Sequence, residues 1–153
     1  MKISTREDIE APIDYVFKQV IDFGSFERSI MRRGGDVERT EKGGANGLGA
    51  KWRVKFHMRG MERDVEATVS EVTEPTSLTM DVTSRSADAV LNVELVPLSR
   101  ARTRLNIHAE ASAKTIATKL LFQSVRFAKQ KTEGRFKSIV AGFARDVEKR
   151  HRR

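Results

Sequence analysis

The chain contains no cysteine. This excludes a disulfide framework, a thiol nucleophile and cysteine-ligated zinc, and it suits a reducing compartment. No apolar run approaches the roughly 18–20 residues that a membrane span needs. The opening stretch Met1–Asp8 holds no apolar signal core. A cytoplasmic location is therefore expected. Histidine is scarce: His57, His108 and His151 have no spacing that converges on a metal, and surface positions explain them. No cofactor and no metal is expected. There is one tryptophan, Trp52, and one tyrosine, Tyr15. Lone aromatics of this kind serve a core first and ligand stacking second.

What is present fits one domain over residues 1–153 by length. A domain of this size buries roughly two-thirds of its unfolded surface and needs no metal or disulfide to hold a core. The net charge of +8 is unevenly placed. From Lys114 onward there are 12 Lys/Arg and 3 Asp/Glu, a net +9, so the first three-quarters of the chain is left at −1.

Apolar spacing gives the elements. Ile3–Ile9 reads as a strand. Pro12 suits the first helical position, and Ile13, Val16, Phe17, Val20 and Ile21 make an amphipathic helix over 12–22. Gly24 is expected to break it, and Ser25 to cap a second short helix carrying Phe26 and Ile30. Val37–Thr40 suits a second strand. The glycine-rich stretch 43–49 leads into strand rather than helix, so it reads as a turn and not as a phosphate cradle.

Alternation is clear from Lys51. Trp52, Val54, Phe56 and Met58 point one way, and Lys51, Arg53, Lys55, His57 and Arg59 the other. A two-residue turn at Gly60-Met61 brings Val65, Ala67 and Val69 opposite Phe56, Val54 and Trp52. It also places Glu62, Asp64 and Glu66 opposite Arg59, His57 and Lys55. Three further alternating runs follow: Leu78, Met80 and Val82; then Ala89, Leu91, Val93 and Leu95; then Leu105, Ile107 and Ala109. This rhythm indicates an α+β fold with a curved antiparallel sheet of about seven strands, and excludes a parallel βαβ arrangement. Val69 and Val72 break strict alternation, which places a β-bulge near Ser70–Val72.

Residues 113–150 read as a long helix packed across the sheet. Its apolar stripe runs through Ile116, Leu120, Leu121, Val125 and Phe127, then Phe136, Ile139, Val140, Phe143 and Val147. The stripe rotates at Lys129–Arg135, which contains Gly134, so a bend is expected there. Lys119, Arg126, Lys129 and Lys137 lie opposite the stripe. The terminal Lys149–Arg153 stretch is expected to fray.

Three segments carry a resemblance: Ala11-Pro12-Ile13-Asp14-Tyr15-Val16-Phe17, Asp22-Phe23-Gly24-Ser25-Phe26-Glu27-Arg28 and Gly47-Leu48-Gly49-Ala50-Lys51-Trp52. With the order of elements, they resemble the START-like (SRPBCC) superfamily. That group includes the birch-pollen-allergen fold and the polyketide cyclase/dehydrase and lipid-transport families. The resemblance covers essentially the whole chain. It implies a helix-grip fold with a cavity between the sheet and the C-terminal helix. It does not imply a chemistry, because the superfamily holds carriers, receptors, cyclases and oxygenase subunits.

The side chains expected on an apolar cavity wall are Trp52, Val54, Phe56, Met58, Val65, Ala67, Leu78, Met80, Leu91, Val93, Leu105, Ile107, Leu120 and Phe127. The inner face carries no ionisable residue except Arg63, at the hairpin end. Arg63 and Tyr15 are the candidate polar anchors, and a solvated strand-end arginine is the plainer reading of the first. No catalytic motif is present, and the sequence leans away from an enzyme. The leading expectation is binding or transport of a hydrophobic small molecule such as a lipid or polyketide-like compound. The alternatives are a cyclase/dehydratase acting by positioning, and an interaction protein acting through its basic helix. A weak contact of that helix with acidic membrane is a secondary expectation. No specific nucleic-acid partner is expected, because no known module or exposed aromatic set accompanies the charge.

Overall fold

The computed structural model describes residues 1–58 and 60–153, apart from the side chain of Phe127. Seven strands form one antiparallel sheet in the order β1-β7-β6-β5-β4-β3-β2. They are β1 (Lys2–Ile9), β2 (Asp36–Glu41), β3 (Lys51–Met58), β4 (Met61–Thr73), β5 (Ser77–Thr83), β6 (Ala87–Ser99) and β7 (Arg102–Ala113). Helices α1 (Ile13–Val20) and α2 (Phe23–Arg32) link β1 to β2, and α3 (Ile116–Phe127) and α4 (Lys129–Arg152) close the chain. The sheet curves around α4, which lies against β1, while α3 lies over β7. The expected α+β fold is the observed one.

The expected β3–β4 faces are correct, but the register is offset by two residues. Met58 faces Met61, Phe56 faces Arg63, Val54 faces Val65 and Trp52 faces Ala67. The turn therefore falls between Met58 and Met61, and Gly60 lies in it with φ +74°, where glycine carries no steric cost. Charge alternates with period two, so a two-residue slip keeps opposite charges together. Lys55 now faces Asp64, His57 faces Glu62, and Arg53 lies 3.7 Å from Glu66. Arg59, expected opposite Glu62, lies outside the described residues. The expected bulge is present: the β4–β5 ladder shifts between Val69 and Glu71. The shift lets Val69 be buried while Val72 packs against the same core.

Helix boundaries differ from expectation in four places. Pro12 is the N-cap of α1 rather than its first residue. Gly24 lies inside α2, which starts at Phe23 after Asp22. The long helix breaks at Ala128 (φ −107°, ψ 27°), while Gly134 is helical. An isolated helical glycine costs only about 1 kcal/mol, so the rotation of the stripe is taken up one residue before the polar stretch. Finally, the C-terminal end is helical to Arg152 and makes contacts: Arg150 Nη1 donates to Gln19 Oε1 at 3.0 Å, and the His151 ring packs edge-on against Tyr15 at 4.9 Å.

The core sits between the concave face and the α1–α4 pair. Ile9, Val16, Phe17, Leu105 and Val147 are fully buried. Buried Thr103 donates its hydroxyl to Ala11 O at 2.8 Å, tying β7 to the start of α1. On α4 the buried positions Val140, Ala144 and Val147 recur at i, i+4 and i+7, the spacing of one helix face.

Candidate functional site: two spaces on the concave face

The core does not fill the concave face. Under α2 and the middle of α4 is an apolar chamber of about 320 Å³. Its sheet wall is built from residues of six strands: Val37, Trp52 and Val54, Ala67, Leu78 and Met80, Leu91 and Val93, Leu105 and Ile107. All but Val37 were expected there from strand parity. Its helical wall is Val20, Phe23, Phe26, Ile30, Ile139, Val140 and Phe143. Phe23 meets Trp52 edge-on with ring centroids 4.8 Å apart, and Phe26 lies 5.6 Å from Phe143.

Glu27 is the only charged residue on this wall among the described residues. Its carboxylate accepts from Trp52 Nε1 at 2.7 Å and from Arg39 Nε and Nη2 at 2.7 and 2.8 Å. The Arg39 hydrogen bond holds its pKa below the ordinary glutamate value; partial burial opposes this, and the Trp52 hydrogen bond adds to it. A carboxylate held ionised by three donors is a structural clamp on Trp52, not a proton donor to a ligand. Inspection of strand parity could not find it, because it comes from α2. The signal was the i, i+3, i+7 spacing of Phe23, Phe26 and Ile30, which puts α2 over the sheet and Glu27 at its flank.

A second, wider opening of about 990 Å³ lies farther along the same strands. Phe56, Met58 and Val65 line it, with Arg63, Val82 and Ala89, and with Leu121 and Phe122 of α3. It exists because the sheet splits. The β4–β5 ladder ends at Glu66 and Thr83, so Met61–Val65 have partners only on β3. The β3–β4 and β5–β6 hairpin ends therefore part, which is why the outward residues Asp64 and Glu66 also border the space.

Arg63 is half-buried here, and its Nε has no hydrogen-bond partner among the described residues. On the facing side, Lys114 Nζ lies 2.9 Å from Asp88 Oδ1 and 2.9 Å from Ser84 O. Two expected positions fail. Leu120 is 59% exposed on the outer side of α3 and lines neither space, because the helix turns Leu121 and Phe122 inward instead. Tyr15 packs on His151 at the α1–α4 contact, away from both spaces. Phe127, also expected on the wall, has a side chain outside the description.

His57 and His108 are exposed on the outer face. No group of three or more His, Asp or Glu residues is placed to hold a metal ion among the described residues. No helix among them is long and apolar enough to cross a membrane.

A curved antiparallel sheet closed against a long C-terminal helix, with two short helices at one end and an apolar space between, defines the START-like helix-grip class. The chain belongs to the polyketide cyclase/dehydrase and lipid transport family, whose sequence profile matches residues 1–148. Its fold is similar to the Zhui aromatase/cyclase from Streptomyces sp. R1128, with a TM-score of 0.73 at 13% identity, covering 98% of this chain and 94% of that one. It is similar to a START superfamily protein from Mycobacterium smegmatis, with a TM-score of 0.58 at 13% identity, covering 90% and 98%. It is also similar to Ara h 8.0201, with a TM-score of 0.59 at 15% identity, covering 97% and 95%. No curated protein sequence matches it significantly.

Proposed function

We propose that the chain binds an elongated hydrophobic small molecule, with its apolar body in the chamber beneath α2 and a polar or anionic end toward Arg63. The observation that carries this reading is the chamber itself: about 320 Å³, walled by apolar side chains, with its one carboxylate among the described residues already paired with Arg39 and Trp52. Small-molecule sites have this character, and occupy about 300–1,000 Å³. Transfer of ligand surface from water gains about 25 cal/mol per Å². Arg63 supplies orientation, since a half-buried guanidinium with an unpartnered Nε is a donor awaiting an acceptor.

The test is thermal unfolding of delipidated protein against paired ligands: fatty acids and the matching neutral alcohols. The reading expects both to raise Tm, with Arg63→Ala weakening the acids about tenfold or more and sparing the alcohols. A panel in which no apolar compound raises Tm would sink it.

A second reading, cyclisation or dehydration of a polyketide-like chain by positioning, is favoured by the same Arg63, whose donors would hold a substrate carbonyl. Turnover of a poly-β-ketone analogue by the native chain, lost in Arg63→Ala with binding retained, would establish it over simple carriage.

A further inference from the structure

Helix α3 is apolar on two opposite sides. One side packs inward: Thr118 is buried, and Leu121 and Phe122 line the wider opening. The other carries Ile116 at 77% exposure and Leu120 at 59%, one turn apart and therefore one above the other. Across the same opening, the β3–β4 tip exposes Met58 at 44% and Met61 at 58%. Apolar side chains from two elements distant in sequence thus stand exposed, on the outer side of α3 and at the tip that borders the opening.

The charge around them has one sign. No acidic residue occurs from Ala111 to Thr132, while Lys114, Lys119, Arg126, Lys129 and Lys131 do. Lys114 and Lys129 have partners in Asp88 and Glu133. Lys119, Arg126 and Lys131 are exposed and make no ion pair among the described residues.

We infer that the outer side of α3, together with the β3–β4 tip, docks on an anionic lipid bilayer. Exposed aliphatic residues flanked by Lys and Arg are what settle at the headgroup boundary, and each nearby cation adds attraction to an anionic leaflet. A second copy of the chain would bring these cations against each other, which opposes self-association. An acidic protein matches the charge alone; exposed aliphatic side chains beside unpaired cations match a lipid surface. As a route for ligand exchange, the docking rests on the cavity reading above. As a surface, it stands without it.

The test is co-sedimentation of the ligand-free full chain with vesicles of phosphatidylcholine alone and of phosphatidylcholine mixed with phosphatidylglycerol. The docking surface requires binding to the anionic vesicles that weakens with salt. Ile116→Ser with Leu120→Ser should weaken it roughly tenfold or more without changing Tm, since both side chains are exposed. Lys119→Glu with Arg126→Glu should remove the preference for anionic lipid. Lys149→Glu with Arg152→Glu makes the same charge change at the far end of α4, and should leave binding nearly unchanged. Equal weakening by the far-end pair would overturn the assignment in favour of diffuse charge attraction. Unchanged binding in the Ile116/Leu120 variant would overturn it too. A native chain that ignores anionic vesicles at low salt would overturn it and leave an acidic protein as the partner. Vesicle binding is read without ligand and the ligand-induced Tm shift without vesicles, so either reading can fail alone.

Discussion

Glu27 joins three elements through one carboxylate: it sits on α2, takes both Arg39 nitrogens from β2, and takes the Trp52 indole from β3. Glu27→Ala would leave the Trp52 N–H and the Arg39 guanidinium without their acceptor, and should cost about 1.5–3 kcal/mol by denaturant unfolding. The cost depends on pH in a definite direction. Because the folded-state pKa is lowered, the contribution is complete above the ordinary glutamate pKa and is lost as pH falls through the lowered one. The gap in stability between native chain and variant should therefore close in acid; a gap that widened there would refute the clamp. Gly47 supports the same wall from the other side. Its φ is +90°, and a Cβ placed there would lie 2.7 Å from the Phe23 ring. Gly47→Ala should destabilise by about 2–4 kcal/mol, combining backbone strain with displacement of Phe23.

The two parts of the C-terminal helix differ in how they are held. On α4, Val140, Ala144 and Val147 are buried against the sheet, so Val147→Ala should cost about 1–3 kcal/mol. On α3, Ile116→Ala or Leu120→Ala should change stability by no more than about 0.5 kcal/mol. Amide exchange should accordingly be faster along α3 than along the second half of α4; equal protection would mean that something covers the outer side of α3. The break at Ala128 was legible only as a rotation of the apolar stripe, which locates a change of direction to within a turn. The faces of β3 and β4 were legible because side chains alternate with period two, and the register was not, for the same reason: a slip of two residues leaves every face and every charge sign in place. The observed register puts the turn between Met58 and Met61, with Gly60 at φ +74°.

At the scale of the molecule, the meander, the bulge at Ser70 and all the sheet residues of the apolar chamber except Val37 followed from alternation alone. The helical wall and the split between β4 and β5 did not, because they depend on how far each strand runs beside its neighbour. A ligand that occupies the chamber should stabilise the whole chain by mass action, about 2.7 kcal/mol at a hundredfold excess over Kd, and calorimetric melting would show this as one transition moving upward. The charge is arranged on the same scale: the net +9 of residues 114–153 stands against −1 in the rest. The chain therefore has a strongly cationic end that acidic surfaces meet first.

The sheet order carries a consequence for biosynthesis. Strand β1 pairs only with β7, Lys2 opposite Glu110 and Ile9 opposite Thr103. At about 5–20 residues per second, roughly 5–20 s separate translation of these two strands. During that interval β2 to β6 can pair neighbour with neighbour as they are made, while β1 waits with Ile9 and Ala11 uncovered. The ribosome thus releases an edge whose partner does not yet exist, and the last long-range pairing belongs to the first strand of the sheet.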